Sequence, residues 1–235
     1  MTGFGKISAA VLCLSVMSGV GSAEETAGGQ ATFRIKTRVY NMAKVKPEVL
    51  SGGLSEAATI FHRIGIEIEW AECPCNSLVG AAELHLRVIP TLFPTARGIP
   101  QRGHLGYAAA SENGGVLATI FYDRVEDLTL VANPSTVLGY AIAHEMGHLL
   151  LGKTLGGGRY HSDSGIMRAK WDRKDLKGKT RDGMQFGSDD AKRLRARVAE
   201  RFQQTHDTKR QESADLARPV FLLRGDETTG NWNQL

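Results

Sequence analysis

The chain has 235 residues, 42% of them hydrophobic and 23% charged, with a formal net charge of +4 at pH 7. That is enough chain for one compact domain with a core and a tail. A charge so small for the length excludes an electrostatic case for nucleic-acid binding.

Residues 1–23 read as an export signal. Lys6 supplies a positive charge, Ile7 to Met17 form a short apolar run, and Gly21-Ser22-Ala23 offer small residues for cleavage before Glu24. The apolar run is too short to span a bilayer comfortably, and Cys13 lacks the preceding small residue of a bacterial lipoprotein site. The expectation is a secreted or periplasmic monomer with no stable membrane insertion once the signal is removed. Residues 24–31 are polar and Gly-rich and form a leader.

Thr32 to Asn41 alternates, with Phe33, Ile35, Thr37 and Val39 on one side and Arg34, Lys36 and Arg38 on the other, which predicts a first strand. Pro47 opens a helix whose stripe is Leu50, Leu54, Ala57, Phe61 and Ile64; Gly65 ends it, and Gly52-Gly53 weakens it. His62, beside the stripe, reads as a surface histidine. Ile66, Ile68 and Trp70 alternate with Glu67 and Glu69 in a second strand, and the order strand, helix, strand suits a crossover between parallel strands. Cys73-Pro74-Cys75 follows. In an exported chain it reads as a strained disulfide or two free thiols, because two thiols without an adjacent histidine make only half a metal site.

Glu83 to Ile89 predicts a third strand, and the proline-containing stretch 91–103 a long surface loop. Leu105 to Ala110 is a short strand, with a turn at Glu112-Asn113-Gly114-Gly115 before Val116 to Asp123. Tyr122, at the strand's end, reads as a packed residue more readily than as an oxyanion donor. Ser188-Asp189-Asp190 begins a late helix with the stripe Ala191, Leu194, Val198 and Phe202. The domain therefore covers 32–204 and a mostly polar tail 205–235. Its predicted fold class is mixed α/β (α+β), a twisted mixed sheet with long helices packed on it.

The chemistry is concentrated between Val137 and Met167. Asn133-Pro134-Ser135 supplies capping residues and a first-turn proline for a helix that is apolar nearly all round until Gly152. Inside it stands His144-Glu145-Met146-Gly147-His148. Positions i and i+4 share a helix face, so both imidazoles can reach one ion, while Glu145 lies about 100° away around the helix. Its carboxylate is thereby kept off the metal and within reach of a water bound there. His161, thirteen residues beyond His148 and after Gly156-Gly157-Gly158, is the candidate third ligand.

With Ser162-Asp163-Ser164-Gly165-Ile166-Met167 after His161, this stretch resembles the metzincin clan of zinc endopeptidases, most nearly its matrixin-like members. The resemblance implies a zincin-like domain with zinc held by His144, His148 and His161, Glu145 as general base, Gly152 as the turn after the helix and Met167 in the methionine turn. It further implies a peptide or protein substrate laid along a short antiparallel edge strand, for which Leu105, Gly106, Tyr107 and Ala108 are the candidates. The spacing departs from the clan's: the glycine comes one place late and the third histidine several. The inserted loop must bulge for His161 to return, and Asp163 is the substitute ligand, because some members use aspartate there. Two rival readings are an exported binding protein stapled by non-catalytic zinc, and a zinc amidase acting on a small amide.

Overall fold

Five strands form one sheet in the order β2-β1-β3-β5-β4. They are β1 (Phe33–Asn41), β2 (Ile66–Glu72), β3 (Leu84–Ile89), β4 (Gly106–Ser111) and β5 (Gly114–Phe121). β1 pairs in parallel with β2 and β3, and β3 with β5, whereas β4 runs antiparallel to β5 at the edge. This computed structural model describes residues 33–72, 83–91, 104–128, 132–154, 158–176 and 183–216. The readings of a signal at 1–23, a leader at 24–31, the Cys73 and Cys75 pair and most of the 91–103 loop fall outside them. Among the described residues no helix is long and apolar enough to cross a membrane.

The expected mixed α/β architecture is present. Register carries the predicted alternation into one apolar face: Val39 sits beside Leu86, Leu86 beside Ala118, and Val88 beside Ile120. All five are buried. Against this face lie α1 (Pro47–His62) and α3 (Pro134–Leu151). Leu50, Leu54, Ala57, Phe61 and Ile64, the predicted stripe of α1, are all buried, and His62 is exposed.

Gly52 and Gly53, a weakness by helix propensity, are where α1 and α3 meet. A Cβ at Gly53 would come within 2.8 Å of the Leu138 side chain, and one at Gly139 within 2.5 Å of Glu56 Cβ. The glycines let two backbones approach more closely than side chains would allow, so tertiary packing offsets their helix cost.

The other sheet face is polar without being uniformly wet. Arg38 is only 1% exposed and forms an ion pair with Glu83, which Lys36 also approaches at 3.4 Å. Arg87 donates to the hydroxyls of Tyr107 (3.1 Å) and Thr119 (3.2 Å).

Three elements differ from the sequence reading. α2 (Tyr122–Glu126) turns the chain where a strand end and loop were expected, and α4 (Arg173–Leu176) lies in what read as a charged loop. Helices of five and four residues are too short to show a 3.6-residue period. α5 (Ser188–Leu216) continues past Thr205, where the sequence suggests a tail. Once its apolar first half is packed, each further residue adds a hydrogen bond at little cost, and good helix formers carry it on.

Candidate metal centre

The start of α3 is set locally. Asn133 Oδ1 accepts from the backbone N–H groups of Ser135 (2.9 Å) and Thr136 (3.4 Å), with Pro134 in the first turn. Gly152, at φ 74°, ends the helix; a Cβ there would meet Glu112 O at 2.5 Å. The glycine is thus required both by its backbone conformation and by the β4–β5 turn pressed against it.

On that helix the Nε2 atoms of His144 and His148 lie 3.0 Å apart. His144 Nδ1 is 2.7 Å from Ile166 O. A carbonyl only accepts, so Nδ1 carries the proton and Nε2 keeps its lone pair free. Trp171 Nε1 donates to the same carbonyl at 3.3 Å, and its ring meets His144 edge-on at 5.5 Å between centroids. Beneath the motif Met167 is fully buried, and a Cβ at Gly147 would come within 2.6 Å of its Sδ. The 162–168 loop therefore both orients the first histidine and packs under the helix.

His161 returns to the site although its spacing is long. The inserted segment folds back on itself: Lys153 and Arg159 form an antiparallel bridge, and Thr154 N donates to Gly158 O at 2.9 Å. On either side of His161 the chain is fastened to α5. Tyr160 Oη and Ser162 Oγ donate to the two carboxylate oxygens of Asp190 at 3.0 and 2.9 Å. Asp190, read from sequence as a helix-start acid, is buried and serves this clamp. No local pattern signals it, because its partners lie about thirty residues earlier.

The consequence is a three-histidine cluster. One ring nitrogen from each of His144, His148 and His161 lies within 4.8 Å of the other two. Tetrahedral zinc with bonds of about 2.0–2.1 Å places its nitrogens about 3.3 Å apart, so the 3.0 Å pair on the helix is already near ligand spacing. Asp163 is exposed and is not part of the cluster. The donor set fits zinc: three imidazoles, one of them exposed, with no fourth protein ligand among the described residues.

Glu145 is 5% exposed, and its Oε2 has no hydrogen-bond partner. It lies against β4 where Gly106 leaves room: a Cβ at that position would meet Glu145 Cγ at 2.9 Å and Thr119 O at 2.4 Å. A glycine in a strand often marks such a close approach. His144, Glu145 and His161 open onto a cavity of about 460 Å3, lined also by Leu105, Leu128 and Trp171. Of the other edge-strand candidates, Ala108 lies on the helix side of the sheet, and Tyr107 turns to the opposite face and accepts from Arg87. Tyr122 does not line this cavity. Burial, with Glu126 nearby, raises its phenol pKa.

Burial also decides protonation. It drives His144 down to about 4 and His148 to about 2, so neither holds a second proton at neutral pH. It lifts Glu145 to about 8, against a smaller opposing pull from Arg159. These are values for the metal-free chain and set its stability against pH. Unfolded histidines take up protons near 6.5, which the native site refuses down to about 4 and about 2. Their contribution is whole above 6.5 and is lost as pH falls below it. Glu145, raised from 4.5 to about 8, does the reverse, and its contribution is lost as pH climbs through that interval. Chelator-treated protein should therefore be most stable near about pH 6.5. Denaturation curves from pH 4.5 to 9 check this, and a midpoint still rising at pH 8.5 would contradict the burial of Glu145.

No family model matches the sequence, and no match is found among curated proteins. Among solved structures the chain is similar to a zinc-dependent peptidase from Methanocorpusculum labreanum, at 16% identity and a TM-score of 0.43 over 67% of this chain and 99% of that one. It is similar also to metalloproteinase-II from Bacteroides fragilis, at 12% identity and a TM-score of 0.43 over 72% of this chain and 55% of that one. Likeness at this level carries no chemistry across. The site stands on this chain's own residues.

Proposed function

We propose that the protein is a secreted zinc metallopeptidase, related in plan to the metzincins, that cleaves peptide bonds within a chain. The observation that carries this reading is the convergence of His144, His148 and His161 beside the buried Glu145 carboxylate, whose Oε2 has no hydrogen-bond partner, on the lining of a cavity. A purely structural zinc site has no use for such a carboxylate, since burying an unpaired acid costs stability. The apolar run and small residues of 1–23 support export, and the buried Met167 under Gly147 supports the methionine-turn reading.

His144, His148 and His161 would hold the ion, and the neutral state of the two helix imidazoles leaves their lone pairs ready for it. Zinc bound there supplies Lewis acidity toward a carbonyl oxygen and makes water a nucleophile at neutral pH. Glu145, held against β4 by the close approach of Gly106, would be ionised by a dication bound beside it, and would then accept the proton of the attacking water and pass it to the departing amine. β4, last in the sheet, offers backbone groups to an extended substrate. Two cavities, one lined by His148 and the other by His144 and His161, suit a chain that runs through the site, which favours internal cleavage.

The test is metal analysis of the exported protein combined with cleavage profiling on a broad peptide library. One zinc per chain and hydrolysis stopped by a chelator and restored by zinc are expected. Zinc-loaded protein inert toward the whole library would favour a metal-stapled binding protein, and turnover confined to small amides an amidase.

A further inference from the structure

A second cavity, of about 310 Å3, lies on the His148 side of the cluster, between the free edge of β4 and the inserted segment that brings His161 home. It is lined by Ala108, Ala109 and Ala110 of β4, by His148 and Gly152, and by Lys153 and Arg159. No carboxylate lines it. Both cations are exposed, and neither forms an ion pair with a carboxylate among the described residues. They stand opposite one another in the antiparallel bridge that closes the insertion, so the backbone pairing that shapes this loop also puts two like charges on one rim. Like charges held side by side repel, and an anion between them relieves that repulsion.

The surroundings extend the charge. Arg159 also borders the larger cavity on the Glu145 side, and Lys153 borders a third one with Arg193 and Arg197. Glu112 is the carboxylate residue lining that third cavity. The alanines add shape: small side chains on an edge strand leave its backbone within reach of an extended peptide and leave depth for that peptide's own side chain.

We propose that the Lys153–Arg159 rim selects a peptide bearing an acidic side chain one or two residues from the reaction centre on the His148 side. This rests on the peptidase reading, and it concerns residues that the motif does not contain. The carboxylate is assigned to a side chain of a peptide paired along β4 as far as Ala110. At Ser111 the edge is taken, its carbonyl accepting from Lys153 N–H at 2.9 Å, so a free chain terminus is the other source that the test separates. Charge complementarity at a partly exposed rim discriminates by repelling the wrong substrate as much as by attracting the right one.

The experiment measures binding and cleavage separately. Fluorescent decapeptides, acetylated and amidated, with one varied position carrying Glu, Ala or Lys, are titrated by anisotropy into the full zinc-loaded chain and followed in parallel for hydrolysis. The Glu peptide is expected to bind about tenfold more tightly than the Lys peptide at low salt, with the difference shrinking as salt screens the rim. Lys153→Glu with Arg159→Glu should invert that order, and Lys153→Glu alone, farther from His161, should shrink it while zinc content stays at one per chain. Equal affinities for the three peptides, or an order unmoved by the charge reversal, overturn the proposal. A preference that appears only when the peptide's C-terminus is left free overturns the side-chain assignment. Binding preference without cleavage of any peptide would leave the subsite standing and remove the peptidase reading.

Discussion

Replacing His161 by alanine is expected to weaken zinc binding by at least about 100-fold, whereas Asp163→Ala should leave it within about twofold. Loss of a group that merely orients a ligand typically costs about 10–100-fold in metal affinity, so loss of a ligand itself should exceed that. The helix pair alone would leave the ion with two protein nitrogens, too few for a stable tetrahedral site. The contrast between the variants follows from geometry: His161 lies within 4.8 Å of the helix histidines' nitrogens, and Asp163 is exposed on the following loop. Competition against a chromophoric chelator at pH 7 measures both. If Asp163→Ala proves the weaker binder, the insertion delivers a different ligand in solution and the third position must be reassigned.

Glu145→Gln should keep its zinc and lose about 10²–10⁴ in kcat, the usual contribution of a positioned acid–base group. Glutamine has nearly the same shape, so the tight fit against β4 at Gly106 is preserved while the proton acceptor is gone. Metal analysis and peptide hydrolysis on the same preparation separate these effects. The stability profile supplies an independent check. Without a carboxylate to keep protonated, the metal-free variant should no longer lose stability between about pH 6.5 and 8. Unchanged turnover would remove Glu145 from the reaction; lost zinc would make it a structural residue.

Much of the framework was legible because it is written in short-range patterns. The α1 stripe, the alternation of β1 and β3, and the Asn133-Pro134 start of α3 depend on neighbours within one or two turns, and the structure carries each of them. The pair His144 and His148 belongs to the same class, since helix geometry alone puts i and i+4 on one face. Other features were hidden for identifiable reasons. Gly52 and Gly53 look like defects until Leu138 and Ser135 of the neighbouring helix are seen against them. Arg159 and Lys153 look like solvated loop charges until the bridge between them is formed. Trp171 gave no signal of its place beside His144 and Ile166 O.

By itself the sequence determined an α/β framework, a buried helix carrying two imidazoles and a carboxylate, and two candidates for the third ligand. Periodicity and spacing suffice for these because the backbone repeats that read them are local. Only the tertiary structure brought His161, and not Asp163, beside the helix histidines, since that placement depends on a clamp from Asp190 to both flanks of His161 across about thirty residues. It alone also set the protonation of the site. A histidine or a glutamate has no perturbed pKa in a sequence; burial by the packed sheet and helices moves Glu145 up and the two helix histidines down.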